Sequence, residues 1–168
     1  MKLKQNFIVI IALLILIVIA GFVLLRKGDG AKQITNSNLQ QEQPYVVIND
    51  YRLNVEIANT PEKKSKGLGG RTHLADNYGM LFLFNNQPYP PVFWMKGMEI
   101  PIDIIWIKDN TIIDIDKSAQ PESGISDAQL KRYSPDKPVD YVLEVKDGLS
   151  DERGFEVEDS VVVQLAGQ

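Results

Sequence analysis

Apolar positions fall into three arrangements along the chain. Residues 7–25, FIVIIALLILIVIAGFVLL, form one unbroken apolar run, of the roughly 17 to 25 residues that carry a helix across a bilayer core. The run predicts an uncleaved transmembrane signal anchor over residues 1–27. A secretory signal core is only about 7 to 15 residues long and ends at a small-x-small site, whereas Leu24, Leu25 and Arg26 follow here. Residues 28–44, GDGAKQITNSNLQQEQP, are polar and contain no aromatic, which is the composition of a flexible linker. From Tyr45 to the end, short β-type runs alternate with turn residues, predicting one soluble domain over 45–168.

Within that domain the periodicity is mostly two. In residues 52–57, Leu53, Val55 and Ile57 alternate with Arg52, Asn54 and Glu56, and with residues 45–48 across Asn49-Asp50 they predict a half-buried antiparallel hairpin. Thr60-Pro61-Glu62 supplies an N-cap, a proline at the first helical position and an early acid, and Gly67 supplies a stop. A short helix over 61–66 follows. Residues 80–84 read as a buried strand, Asp109-Asn110 as a hairpin turn into 112–115, residues 139–145 as a strand and 160–165 as the last one, with Ser150 capping a helical turn that ends at Gly154. Residues 118–138 form a long polar loop, unusual in a small domain unless it serves function or moves. The most apolar stretch is 92–107, VFWMKGMEIPIDIIWI. Its two apolar runs flank a kink at Gly97 and Pro101, and the expectation is an antiparallel strand pair that sets Lys96 against Asp103. The predicted fold class is α+β and β-rich: a small antiparallel barrel-like sheet with short helices, preceded by one transmembrane helix.

Composition narrows the chemistry. The chain has no Cys and a single His, His73, which removes disulfides, thiol nucleophiles, thiolate zinc sites and clustered-histidine metal centres; no metal and no cofactor are expected. Net charge is -4, and the first 30 residues hold Lys2, Lys4, Arg26 and Lys27 against Asp29. The acidity therefore belongs to the soluble domain, which argues against nucleic acid as a partner. A basic head before the apolar run and an acidic domain after it favour a single-pass protein of the cell membrane whose C-terminal domain lies outside the cytoplasm.

In order and spacing, the strings GLGGR at 67–71, GMLFLF at 79–84, FWMK at 93–96, IPID at 100–103, YVLE at 141–144 and GFEVED at 154–159 resemble the uncharacterised family called domain of unknown function 192. The resemblance covers nearly all of residues 45–165. It implies a compact β-rich domain with short helices, often behind a signal or membrane segment, and no agreed activity. Two positions depart from the family pattern: Gly69 stands where the pattern has Met, and Gly97 where it has Asn.

The candidate ligand-binding set is Arg71, Trp94, Lys96, Asp103 and Glu144. Asp103 interrupts an apolar run, so if its face is buried it needs a cation or several backbone N–H donors; it is a structural pin or a site residue. Lys96 beside Trp94 is a snorkelling surface residue or a ligand contact. Trp94 is a core side chain or an aromatic platform. Arg71 in a glycine-rich loop suits an anion. Glu144 and Asp103 together form a carboxylate pair of the kind that hydrolyses glycosidic bonds, although 22 acids make chance pairing easy. Three functions are compatible with these residues: a membrane-tethered binding or accessory module for a small polar ligand or envelope component, with the 118–138 loop over its pocket; a hydrolase using Asp103 and Glu144; and a structural partner of another envelope protein, docking through an exposed aromatic patch.

Overall fold

The computed structural model describes residues 43–84 and 87–166, all within one compact unit, Gln41–Gln168. The apolar run 7–25 and most of the linker lie outside the described residues. Among the described residues no helix is long and apolar enough to cross a membrane.

The elements in chain order are β1 (Tyr45–Ile48), β2 (Tyr51–Ala58), α1 (Pro61–Lys66), β3 (Tyr78–Leu83), β4 (Ile102–Lys108), β5 (Thr111–Ala119), β6 (Tyr141–Lys146), α2 (Leu149–Arg153) and β7 (Val161–Gln164). Local chemistry explains their limits. Asn49 and Asp50, and again Asp109 and Asn110, have positive φ at both positions, the backbone that closes a two-residue hairpin with the twist of its strands. Thr60 accepts the Lys63 N–H at 3.3 Å, Pro61 opens α1, and the Gly67 N–H closes it on the Lys63 carbonyl.

The seven strands form one curled, half-barrel sheet in the order β5-β4-β6-β3-β2-β1-β7. A bridge between Thr111 and Ser160 draws the two outer strands together at one end. Neighbours are antiparallel with one exception, the parallel pair β2 and β3. The expected antiparallel sheet misses this pair because α1 and its following loop cross over and return the chain to the same end.

Each face of the sheet carries its own core. One face presents Met80, Phe82, Ile104, Trp106 and Val142 to Leu68, Phe84, Met95 and Tyr133 from the loops. The other presents Leu53, Val55, Leu81, Ile105, Leu143 and Val145 to Leu149 and Phe155 around α2. Strand β4 is buried on both sides over six consecutive residues, which is why it reads as a continuous apolar run.

Two further expectations fail here. Residues 92–95 are not a strand paired with 102–107: β4 is flanked by β5 and β6, so neither of its edges is open to a third strand. Residues 87–101 instead lie over the first face, with Phe93 edge-on to Phe82 and Trp106 at ring separations of 4.9 and 5.4 Å. Ser150 is not an N-cap. Gly148 holds that place, and Ser150 sits inside α2 with its hydroxyl buried and unpartnered.

Candidate functional site

Alternation along β6 puts Tyr141, Leu143 and Val145 on the α2 side and leaves Val142 and Glu144 on the other. Glu144 stands opposite Met80 of β3 and Ile104 of β4, at the centre of the sheet and only 6% exposed. Its Oε2 is buried and has no hydrogen-bond partner. Burial pushes its carboxyl up to about 8, because no cation or donor offsets the loss of water around a charged form. At neutral pH this side chain is a neutral acid, with an O–H to donate.

Glu144 forms the floor of a cavity of about 390 Å³. Its walls are Leu68, Phe82, Phe84, Phe93, Trp94 and Met98, and Lys64, Lys66 and Lys96 also border it. Gly67 abuts this floor: a Cβ there would be in van der Waals contact, 3.5 Å from the Phe82 ring and 3.7 Å from Glu144 Oε2. Lys64 extends over the Phe84 ring, 4.1 Å from its centre, and partial burial lowers its ammonium below the usual lysine range. Lys96 is 55% exposed and pairs with Asp127. Trp94 is 44% exposed, and the Arg132 guanidinium stacks on its ring at 4.4 Å. The long loop therefore grips the outer side of the Trp94–Lys96 segment, helped by paired backbone hydrogen bonds between Phe93 and Tyr133. It buttresses the cavity wall and contributes none of the cavity's lining residues.

Of the five candidates, Trp94, Lys96 and Glu144 converge on this cavity. Arg71 does not. It forms an ion pair with Glu56 in a neighbouring hollow of about 630 Å³ that also includes Tyr78 and Lys63. There burial, then Glu56, raises the Tyr78 hydroxyl above its ordinary range. That hollow is the larger, but its carboxylate is already matched by Arg71, whereas the carboxyl of the smaller cavity has an oxygen without a partner.

Asp103 is a correction. It is fully buried on the α2 face, and its carboxylate accepts backbone N–H groups from Ser118 at 2.9 Å, Gly148 at 3.3 Å and Ser150 at 2.9 Å. It pins the end of β5 and the start of α2 to β4, with backbone donors in place of Lys96. In register, Asp103 stands opposite Val145 while Glu144 stands opposite Ile104, so the two carboxyls point to opposite faces of the sheet. No single glycosidic bond lies between them, and the hydrolase pair dissolves.

Residues not anticipated are Lys64, Phe82, Phe84, Phe93 and Met98. For Lys64 the available signal was α1 itself, with three lysines in six residues. The two departures from the family pattern meet in space: the Gly70 N–H bonds the Gly97 carbonyl at 2.9 Å, and a Cβ on Gly69 would lie 3.5 Å from that same oxygen. Gly97 has φ +69° with open space around it, a conformation that asparagine also tolerates better than other side chains. The position is a backbone turn, and glycine satisfies it without a side-chain amide. No group of acids and histidines able to hold a metal occurs among the described residues.

Residues 45–163 match the sequence profile of domain of unknown function 192 (DUF192), described as Uncharacterized ACR. Among solved structures, a protein of unknown function from Novosphingobium aromaticivorans DSM 12444 is similar at 31% identity and a TM-score of 0.63, over 70% of this chain and 83% of that one. A protein from Sinorhizobium meliloti 1021, provisionally named a transcription regulator, is similar at 30% identity and a TM-score of 0.63, over 71% of this chain and 92% of that one. No curated protein matches the chain.

Proposed function

This chain belongs to the DUF192 family, and from that premise we propose that it is a membrane-held binding module whose small ligand enters the cavity over Glu144. The observation that carries this reading is the buried Glu144 Oε2 without a partner at the floor of an aromatic cavity. A buried polar atom left unpaired lowers stability by about 1 to 3 kcal/mol, and an apolar pocket with a few convergent polar groups is the usual form of a small-molecule site. The apolar run 7–25 and the polar linker support a domain held close to the outer face of the cell membrane.

Binding is tested at Met98, which lines the cavity, with buried Met95 as the internal reference. Small ring compounds are expected to shift the Met98 methyl resonance and leave Met95 in place, and Trp94→Ala should weaken the effect. If no compound class moves Met98, the binding reading fails. Location is tested separately. Because the chain lacks Cys, Ala166→Cys introduces a unique thiol at an exposed position. A membrane-impermeant maleimide should label it in intact cells; labelling only after lysis would place the domain in the cytoplasm.

A further inference from the structure

The charges around the cavity restrict what it can hold. Among the described residues Glu144 is its only carboxyl, and at least nine-tenths of that residue is buried. Lys64 and Lys66 stand at the cavity's border, and neither has a carboxylate partner among the described residues. Lys96 is already neutralised by Asp127. A cationic ligand would meet two ammonium groups that form no ion pair among the described residues. An anion would meet the same pair favourably, in surroundings where aromatic walls reduce the screening by water.

The aromatic lining of the cavity adds a second requirement. It includes Phe82, Phe84, Phe93 and Trp94, which favour a flat ring through stacked or edge contacts. Beyond the ring, the neutral Glu144 acid needs a partner that can accept its O–H or donate to its carbonyl oxygen. A hydroxyl, a carbonyl or a ring nitrogen meets that need, and a bare hydrocarbon end does not. The volume, about 390 Å³, lies in the range of pockets that enclose one small organic molecule.

Resting on the binding reading above, we infer that the ligand is a small flat organic anion with a hydrogen-bonding group at the end remote from its charge. Its acidic group pairs with Lys64 and Lys66, its ring lies on the aromatic walls, and its far end hydrogen-bonds Glu144. Binding forms and breaks no covalent bond.

The test uses the full chain in lipid nanodiscs, with empty nanodiscs as the blank and the Met98 methyl as the reporter. Three probes share one ring system: 6-hydroxy-2-naphthoate, 2-naphthoate and 2-naphthylmethylammonium. The hydroxy acid is expected to bind about tenfold more tightly than the plain acid, and the ammonium to leave Met98 unmoved. Glu144→Leu should erase the preference for the hydroxyl, whereas Glu144→Gln, which keeps a donor and an acceptor, should retain most of it. Lys64→Gln with Lys66→Gln should weaken both acids by about tenfold or more. An ammonium that binds as tightly as the acids, or a hydroxyl preference that survives Glu144→Leu, overturns the inference while leaving the cavity a binding site. If none of the three moves Met98, this inference fails, while the binding reading is decided separately by the wider range of ring compounds.

Discussion

Asp103→Asn should be among the most destabilising isosteric changes in the domain, and the structure fixes both its size and its partners. The carboxylate is fully buried and accepts three backbone N–H groups, two on Oδ1 and one on Oδ2. Each hydrogen bond to a charged acceptor contributes about 1.5 to 3 kcal/mol. Asparagine offers one carbonyl oxygen. If that oxygen keeps Ser118 and Gly148, the new amide group faces the Ser150 N–H, donor against donor. The Ser150 amide is then left unpaired, and the two surviving bonds lose their charge assistance. A net loss of about 3 to 5 kcal/mol is expected, a large part of the roughly 5 to 15 kcal/mol that holds a domain together. Among the described residues the buried members of both cores lie between Val46 and Val161, so residues 43–168 should unfold cooperatively on their own, and urea melts of that fragment measure the change. A double-mutant cycle with Lys96→Met should show coupling below about 0.5 kcal/mol, because Lys96 pairs with Asp127 instead. An Asp103→Asn variant within about 0.5 kcal/mol of the parent, or clear coupling to Lys96, would refute the backbone-donor account.

Glu144 predicts a pH dependence of opposite sense to that of a paired carboxylate. Its folded value, raised by burial from 4.5 to about 8, means that the folded state binds the proton more tightly than the unfolded chain. Its contribution is complete below about pH 4.5, is lost progressively as pH rises to about 8, and totals about 5 kcal/mol; relative to Glu144→Gln, wild-type melts should lose stability across that window, and parallel pH profiles would disprove the burial. Gly97→Asn should stay within about 0.5 kcal/mol of the parent while Gly97→Val loses about 1 to 2 kcal/mol, since only the left-handed backbone is at stake there; equal thermal shifts for the two would show that side-chain room decides instead. The acidic domain should not retard duplex DNA at moderate salt, despite the name given to the Sinorhizobium meliloti relative; micromolar binding with a steep salt dependence would reverse this.

Features legible from neighbouring residues are local. The hairpin turns at Asn49-Asp50 and Asp109-Asn110, the helix over 61–66 with its Thr60 cap, the alternation in β2 and the burial of β4 all follow from residues within a few positions of one another, and each stands where it was expected. The motif strings sufficed to place the chain in its family. Trp94, Lys96 and Glu144 were legible as candidates because a charge or an indole set in an apolar run is conspicuous. Tertiary structure decided the partners and the faces. Residues 92–95 have the composition of a strand, yet β5 and β6 flank β4 on both edges, and composition carries no information about which edge is free. Asp103 and Glu144 each interrupt an apolar strand, and only the register between β4 and β6 sends one to backbone donors on the α2 face and the other to the floor of an aromatic cavity. Lys64, Phe82 and Phe93 come from a helix, a strand and a loop, and Phe82 comes near Glu144 because sheet order brings β3 beside β6. Burial, and with it the protonation of Glu144, is a property of that assembled neighbourhood; the same glutamate on an open strand would be an ordinary charged residue.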